Sequence, residues 1–155
     1  MIIKYFTFSI SITFISWIVG MIINSILIKT EFYTKHLSNL SFIKNEILNK
    51  RIGLGIFKWI VKNTFFKYFN QKIKFKSKIE VTELNTIRNE MTISEISHLI
   101  AFGFMTVFAV LKIINSNYLF GFVIMIVNTL MNLYPSLLQQ ENKRRIDRLQ
   151  NRLFG

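Results

Sequence analysis

The sequence predicts an all-α integral membrane protein with three transmembrane helices, an N-terminal anchor plus a C-terminal helical hairpin, and an amphipathic interfacial helix. Three observations carry this. Half of the 155 residues are apolar, 16 of them Phe, yet the net charge is +12. The two properties separate along the chain: residues 5–28, 98–114 and 118–138 are apolar runs, while cations collect between and after them. One proline and six glycines fit neither a loop-rich nor a disordered chain. A soluble domain of this size is rarely both so apolar and so basic, so a basic membrane protein is expected, read as a single membrane domain over 1–155.

Residues 5–28 contain no charge, are flanked by Lys4 and Lys29, and are long enough to span a bilayer. A cleaved signal peptide is the rival reading. The run exceeds the usual signal core, and no alanine precedes Ala101, so a retained anchor is favoured. The hydrophilic segment 29–97 holds 13 Lys/Arg against six acidic residues. Within it, 52–69 has an amphipathic helical pattern. Phe57, Val61, Thr64, Phe65 and Tyr68 share one face, and Lys58 and Lys62 fall away from it. Such a helix lies in a membrane interface with its rings toward acyl chains, or packs on the rest of the protein. Lys72, Lys74, Lys76 and Lys78 then alternate with Ile73, Phe75, Ser77 and Ile79, the period of a short extended segment. Basic and aromatic residues interleaved in this way also occur in nucleic-acid binders, but the neighbouring anchor argues against a nucleic-acid partner.

A helical pattern resumes at Val81 and leads into the span 98–114. A break at Asn115, Ser116 and Asn117 separates it from the span 118–138, and the basic tail 139–155 follows. The tail carries Lys143, Arg144, Arg145, Arg148 and Arg152. With three spans the middle segment and the tail share a side, and together they hold 18 of the 20 Lys/Arg. The positive-inside rule places them in the cytoplasm and the N-terminus outside, in a multi-pass cell-membrane protein.

With Ser116 as the hairpin tip, His98 lies 18 residues before it and Tyr134 18 after it. At about 1.5 Å per residue both are roughly 27 Å from the tip, close to one hydrocarbon thickness. The acidic and histidine end of one arm thus meets the amide and arginine end of the other. Glu95 and His98, three apart, are neighbours on one helical face. A carboxylate beside an imidazole fixes its tautomer and raises its basicity, which suits a general base; a structural pair is the alternative. Asn128, Asn132, Pro135, Gln139 and Asn142 share one narrow face of the last arm, which must look into the protein. Such a face is a substrate-facing seam or merely a glue between helices. The adjoining Lys143, Arg144 and Arg145 suit phosphates, or act only as a topology signal.

Other chemistries lack their residues. Gly103 stands where a His-x4-Asp acyltransferase motif starting at His98 requires Asp, and no Walker loop, Gly-x-Ser-x-Gly elbow or His-Glu-x-x-His helix is present. Two histidines and no cysteine make no conventional zinc site, so no metal is expected, and thiol chemistry is excluded.

At this constellation the sequence resembles the glycosyl-4,4'-diaponeurosporenoate acyltransferases, a family of small membrane acyltransferases of carotenoid glycosyl ester synthesis. Glu90, Glu95 and His98 match a Glu-x4-Glu-x-x-His pattern. Asn132, Gln139, Asn142 and Arg145 match Asn-x6-Gln-Arg-x-Asn-Arg-x-Arg, with Gln140 and Lys143 in place of its first two arginines. Lys58-Trp59 is also similar to the family's middle segment. The resemblance covers roughly residues 50–150. It implies transfer of a fatty acyl chain to a hydroxyl of a glycosylated isoprenoid or similar glycolipid. No cofactor is bound, and acyl-CoA is the expected donor. On this reading His98 is the base, Glu95 orients it, and Glu90 positions the arginine cluster across the hairpin. Asn132, Gln139 and Asn142 hold polar groups of the acceptor or the oxyanion, and Lys143, Arg144 and Arg145 hold the donor's phosphates. The alternative is a non-catalytic membrane protein that binds a lipid or partner subunit through the same seam.

Overall fold

The computed structural model describes residues 1–40, 53–64 and 80–155. Helix α1 is Ile2–Leu27 and is followed by a π-helical turn, Tyr33–Leu37. Helix α2 is Leu54–Asn63 and helix α3 is Val81–Ile114. Helix α4, Tyr118–Asn128, passes through a second π-helical turn, Thr129–Leu133, into helix α5, Tyr134–Phe154. No strand occurs among the described residues. Three helical stretches are long and apolar enough to cross a membrane: Ile2–Leu27, Val81–Ile114 and the continuous Tyr118–Phe154.

Helices are the form such chains must take in lipid, where each backbone polar group needs a partner within its own segment. The inward face of α1 shows how a strongly apolar helix finds a packing side. Its buried positions are Ser9, Ile12, Thr13, Ser16, Gly20 and Asn24, a stripe at helical spacing made mostly of small or polar residues. The hydroxyls of Ser9, Thr13 and Ser16 donate to the carbonyls of Tyr5, Ser9 and Thr13 at 2.7–2.8 Å. With their hydroxyls satisfied locally, these residues present a smooth, narrow surface. Phe14, Ile15, Ile18, Met21 and Ile22 face outward and are exposed. Small and polar inside, large and apolar outside is the arrangement expected of a helix solvated by lipid.

Gly20 marks where α1 comes closest to α3. A Cβ there would stand 2.3 Å from the Ser97 carbonyl oxygen. One turn further, Asn24 Nδ2 donates to the Ile93 carbonyl at 2.9 Å and to Ser97 Oγ at 3.0 Å. Between the hairpin arms Gly121 plays the same part, since a Cβ would lie 2.8 Å from the Ala109 carbonyl. The tip falls where the sequence places it, and Ser116 takes a left-handed φ of 60°. Ile12, Met105, Ala109 and Ile124 form the core of the three packed spans.

Both hairpin arms outrun a bilayer. Helix α3 has 34 residues, about 51 Å at about 1.5 Å each. Beyond the span, Leu84 and Met91 pack on Ile146 of α5. Helix α2 docks on the same helix, with Leu54 and Val61 against Leu137 and Leu138, and Phe57 and Tyr134 beside them. The described part of the amphipathic face expected over 52–69, Phe57 and Val61, thus packs on protein, and Lys58 pairs with Glu141. On the other side Ile56 and Trp59 are exposed, at 69% and 65%. Phe65, Tyr68 and the alternating segment 72–79 lie outside the described residues.

Candidate functional site

The polar residues of α3, α4 and α5 meet in two layers, one helical turn apart on α3. Their placement depends on the π-helical turn at Thr129–Leu133. A π turn inserts one residue into an α-helix and advances every later side chain by about 100°. Pro135 lies just beyond it; a proline has no N–H to give the preceding turn, so an irregular turn suits this point. A continuous α-helix would carry the inward face from Asn128 and Asn132 through Pro135, Gln139 and Asn142. With one residue inserted, the face moves to Ser136, Gln140 and Lys143, and these are the buried residues of α5 along with Leu137, Leu138 and Ile146. Gln139 and Asn142 are displaced to half-buried positions and do not join the seam.

The first layer surrounds Asn132, which is fully buried. Its Nδ2 donates to Asn128 Oδ1 at 2.9 Å and to Met105 Sδ at 3.2 Å. Its Oδ1 accepts the indole N–H of Trp17 at 2.9 Å. Asn128 is anchored in turn, its Nδ2 donating to the Phe102 carbonyl at 2.9 Å and to Thr106 Oγ1 at 3.2 Å. His98 faces this carboxamide. Its ring stands perpendicular to that of Trp17, with centroids 6.1 Å apart. Nδ1 is buried without a hydrogen bond, while the ring as a whole is partly exposed, so the accessible edge carries Nε2. Tyr134, opposite His98 by equal counting from the tip, turns instead to Phe57, 5.1 Å between centroids.

The second layer is built on Glu95, also fully buried. Gln140 Nε2 donates to its Oε1 at 2.8 Å, and Lys143 Nζ stands 2.5 Å from Oε2. Cα–Cβ bonds tilt toward a helix N-terminus, so on antiparallel arms Glu95 reaches away from the tip while Gln140 and Lys143 reach toward it. The buried Tyr33 phenol completes the layer, pushed above its ordinary pKa by burial and by the Glu95 carboxylate. Lys143 Nζ also reaches the Leu40 carbonyl at 3.4 Å. Outside lies a cleft of about 50 Å³ lined by Asn39, Leu40, Arg88, Gln140, Lys143, Arg144 and Asp147. Arg88 crosses its mouth, bonded to Asp147 at 2.6 Å and Asn39 at 2.9 Å.

Several expected roles change with this geometry. Glu95 does not orient His98; it is committed to Gln140 and Lys143, and the group beside His98 is Asn132. Lys143 is 4% exposed and neutralised by Glu95, so it is not free for a donor's phosphates. Asn132 has no donor left for an acceptor or an oxyanion. Glu90 is exposed and makes no ion pair with the arginines among the described residues. Arg145 is exposed and pairs with Glu141 at 3.1 Å, whereas Arg144 lines the cleft. No group of three or more potential metal ligands occurs among the described residues.

Trp17, Gln140, Tyr33 and Arg88 were not singled out as site residues by sequence reasoning. Trp17 carried one usable signal: an indole in a membrane-spanning run needs an acceptor for its N–H. Gln140 stands at a position already marked as a departure from the family pattern. Nothing local distinguishes Tyr33 or Arg88.

Comparison with individual curated proteins gives no match, and neither does comparison with solved structures. The family model described as glycosyl-4,4'-diaponeurosporenoate acyltransferase matches residues 29–152, a stretch that contains both polar layers except Trp17, and the chain belongs to this family.

Proposed function

We propose that this protein transfers a fatty acyl group from acyl-CoA to a hydroxyl of a glycosylated isoprenoid, with His98 as general base. The observation that carries the reading is the situation of His98 inside the family-matched segment. The other histidine, His36, is exposed and stacks on Phe32. His98 is held among buried amides, with one nitrogen inside and the other edge accessible. Imidazole is the side chain best suited to move a proton near neutral pH. In the proposed step Nε2 takes the acceptor's hydroxyl proton as its oxygen forms an ester bond to the acyl carbon. The thioester C–S bond breaks, and the proton passes to the departing thiolate. The apolar outer surfaces of α1, α3 and α4 offer lipid-like surroundings for the acyl chain and the isoprenoid tail.

Cation distribution supports placing this end of the bundle in the cytoplasm, where acyl-CoA is made. Arg144, at the cleft, and Arg145 are the cations better placed for the donor's phosphates, because Lys143 is sealed.

Mass spectrometry of lipid extracts tests the reading in cells carrying the wild-type gene, a deletion, or His98→Ala. An acylated glycolipid should be present in the first and missing from both others, and its mass names the acyl group. A fully active His98→Ala enzyme sinks the assignment. The mutually satisfied amides and the Glu95–Lys143 pair favour a second reading, a scaffold that binds lipid without chemistry. A scaffold tolerates His98→Gln, which keeps hydrogen bonding but not basicity; an enzyme using this base does not.

A further inference from the structure

Helix α1 lies before the family-matched segment, yet it contributes the indole that fixes Asn132. We propose that Trp17 and Asn132 are positioning residues for His98: Asn132 Oδ1 accepts the proton on Nδ1 as a hydrogen bond and leaves Nε2 as the basic nitrogen. The inference rests on the reading of His98 as general base and identifies what prepares it.

The argument is an accounting of one carboxamide. An indole N–H can only donate, so the Asn132 atom 2.9 Å from Trp17 Nε1 must be the oxygen. The amide nitrogen is committed to Asn128 Oδ1 and Met105 Sδ. Asn128 cannot flip, because its own nitrogen faces the Phe102 carbonyl at 2.9 Å. The orientation thus runs from a backbone carbonyl of α3 through two amides, and the valence left over is the second lone pair of Asn132 Oδ1. Beside it lies the imidazole whose Nδ1 is buried and lacks a hydrogen bond. A bare Nδ1 would set one lone pair against another at a buried position; an Nδ1–H would be a donor for that oxygen. A neutral imidazole carries one N–H, so protonation at Nδ1 leaves Nε2 unprotonated on the accessible edge.

The test uses the full chain, purified in detergent and labelled with [15N]histidine, with His36→Gln to remove the second signal. Above the ring's titration range, nitrogen spectra should show Nδ1 protonated and Nε2 bare. Asn132→Leu should abolish that preference, Asn132→Asp should preserve it, and Trp17→Phe should weaken it. Trp17→Phe should also lower kcat between about ten- and a hundred-fold with little change in KM, as expected for a misplaced reacting group. A wild-type ring protonated at Nε2 overturns the proposal, and so does a tautomer unmoved by both Asn132→Leu and Trp17→Phe. Should Asn132→Leu fail to fold, the wild-type spectrum still decides. Because the spectrum is taken without substrate, an Nδ1–H ring together with a fully active His98→Ala enzyme would reject the catalytic reading and leave the tautomer assignment standing.

Discussion

The Glu95 layer and the His98 layer are three residues apart on one helix, and both are buried and polar, but they are built to different ends. Around Glu95 the carboxylate is committed: both its oxygens have a partner, one neutral and one cationic, while the Tyr33 hydroxyl beside them makes no hydrogen bond among the described residues. Around His98 the amides are locked while the imidazole keeps one nitrogen without a hydrogen bond and one edge accessible. A closed network holds helices together, because breaking it strands a charge. An open one is available for a reaction. Burial of polar groups in a membrane protein is therefore not by itself a sign of chemistry, and neither is an unsatisfied atom, since the Tyr33 hydroxyl is one too. What separates the two layers is a carboxylate sealed against a cation in one and a partly exposed imidazole in the other.

The largest expected effect breaks the open layer. His98→Ala should lower acyl transfer by about 10²–10⁴-fold, the usual contribution of a general base. The thermal midpoint in detergent should hardly move, because His98 carries none of the closed network. Lys143→Met should do the reverse. It leaves the Glu95 carboxylate buried and unpaired, and removing one partner of a buried pair costs about 3–5 kcal/mol. The thermal midpoint should therefore fall sharply. Replacing both partners, Glu95→Gln with Lys143→Met, should recover much of the loss. A single variant as stable as the wild type would show that the pair is not what closes this layer.

Much of this contrast is legible in the sequence, up to one local irregularity. The three spans, the tip at Ser116 and the juxtaposition of the two polar ends follow from run lengths and from counting along a rigid helix. His98 and Asn132 do meet. Past residue 132 the reading loses phase, since it assumes an unbroken α-helix and the π turn adds a residue. Gln139 and Asn142 are then displaced by Gln140 and Lys143. A proline within a helix marks an irregularity near it, but the presence of Pro135 does not say whether the helix bends or gains a residue. Glu95 was misassigned for another reason. Two residues on one helical face are neighbours by spacing, but a carboxylate turns to the nearest cation, and that cation lies on the other arm.

A smaller effect separates the closely packed side of the bundle from its lipid-facing side. Gly20→Ala places a methyl group against the Ser97 carbonyl, where the unshifted contact is 2.3 Å. Helix α1 must move away from α3, at a cost of about 1–3 kcal/mol, and the Trp17–Asn132 hydrogen bond should lengthen with it. Gly103→Ala is the control on the same bundle. Nothing lies within 4 Å of its added methyl, and an exposed helical glycine replaced by alanine gains about 0.5–1 kcal/mol. Thermal unfolding of the two variants should shift in opposite directions. A shift of the same sign would mean that α1 does not seat against α3 at Gly20.

The smallest expected effect tests whether the closed layer is only structural. Gln140 and Lys143 stand where the resemblance drawn from the sequence expects arginines, and both contact the same carboxylate, Glu95. An arginine at 140 offers a fork where glutamine offers a single donor. Its added bulk has somewhere to go, because Gln140 borders the cleft of about 50 Å³. Asp147, paired with Arg88, lines the same cleft. Gln140→Arg should therefore fold, shift stability by about 1 kcal/mol or less, and leave the transfer rate as it was. If that variant instead changed the rate tenfold with the fold intact, Glu95 and its partners would be handling substrate. The division between a closed structural layer and an open reactive one would then have to be abandoned.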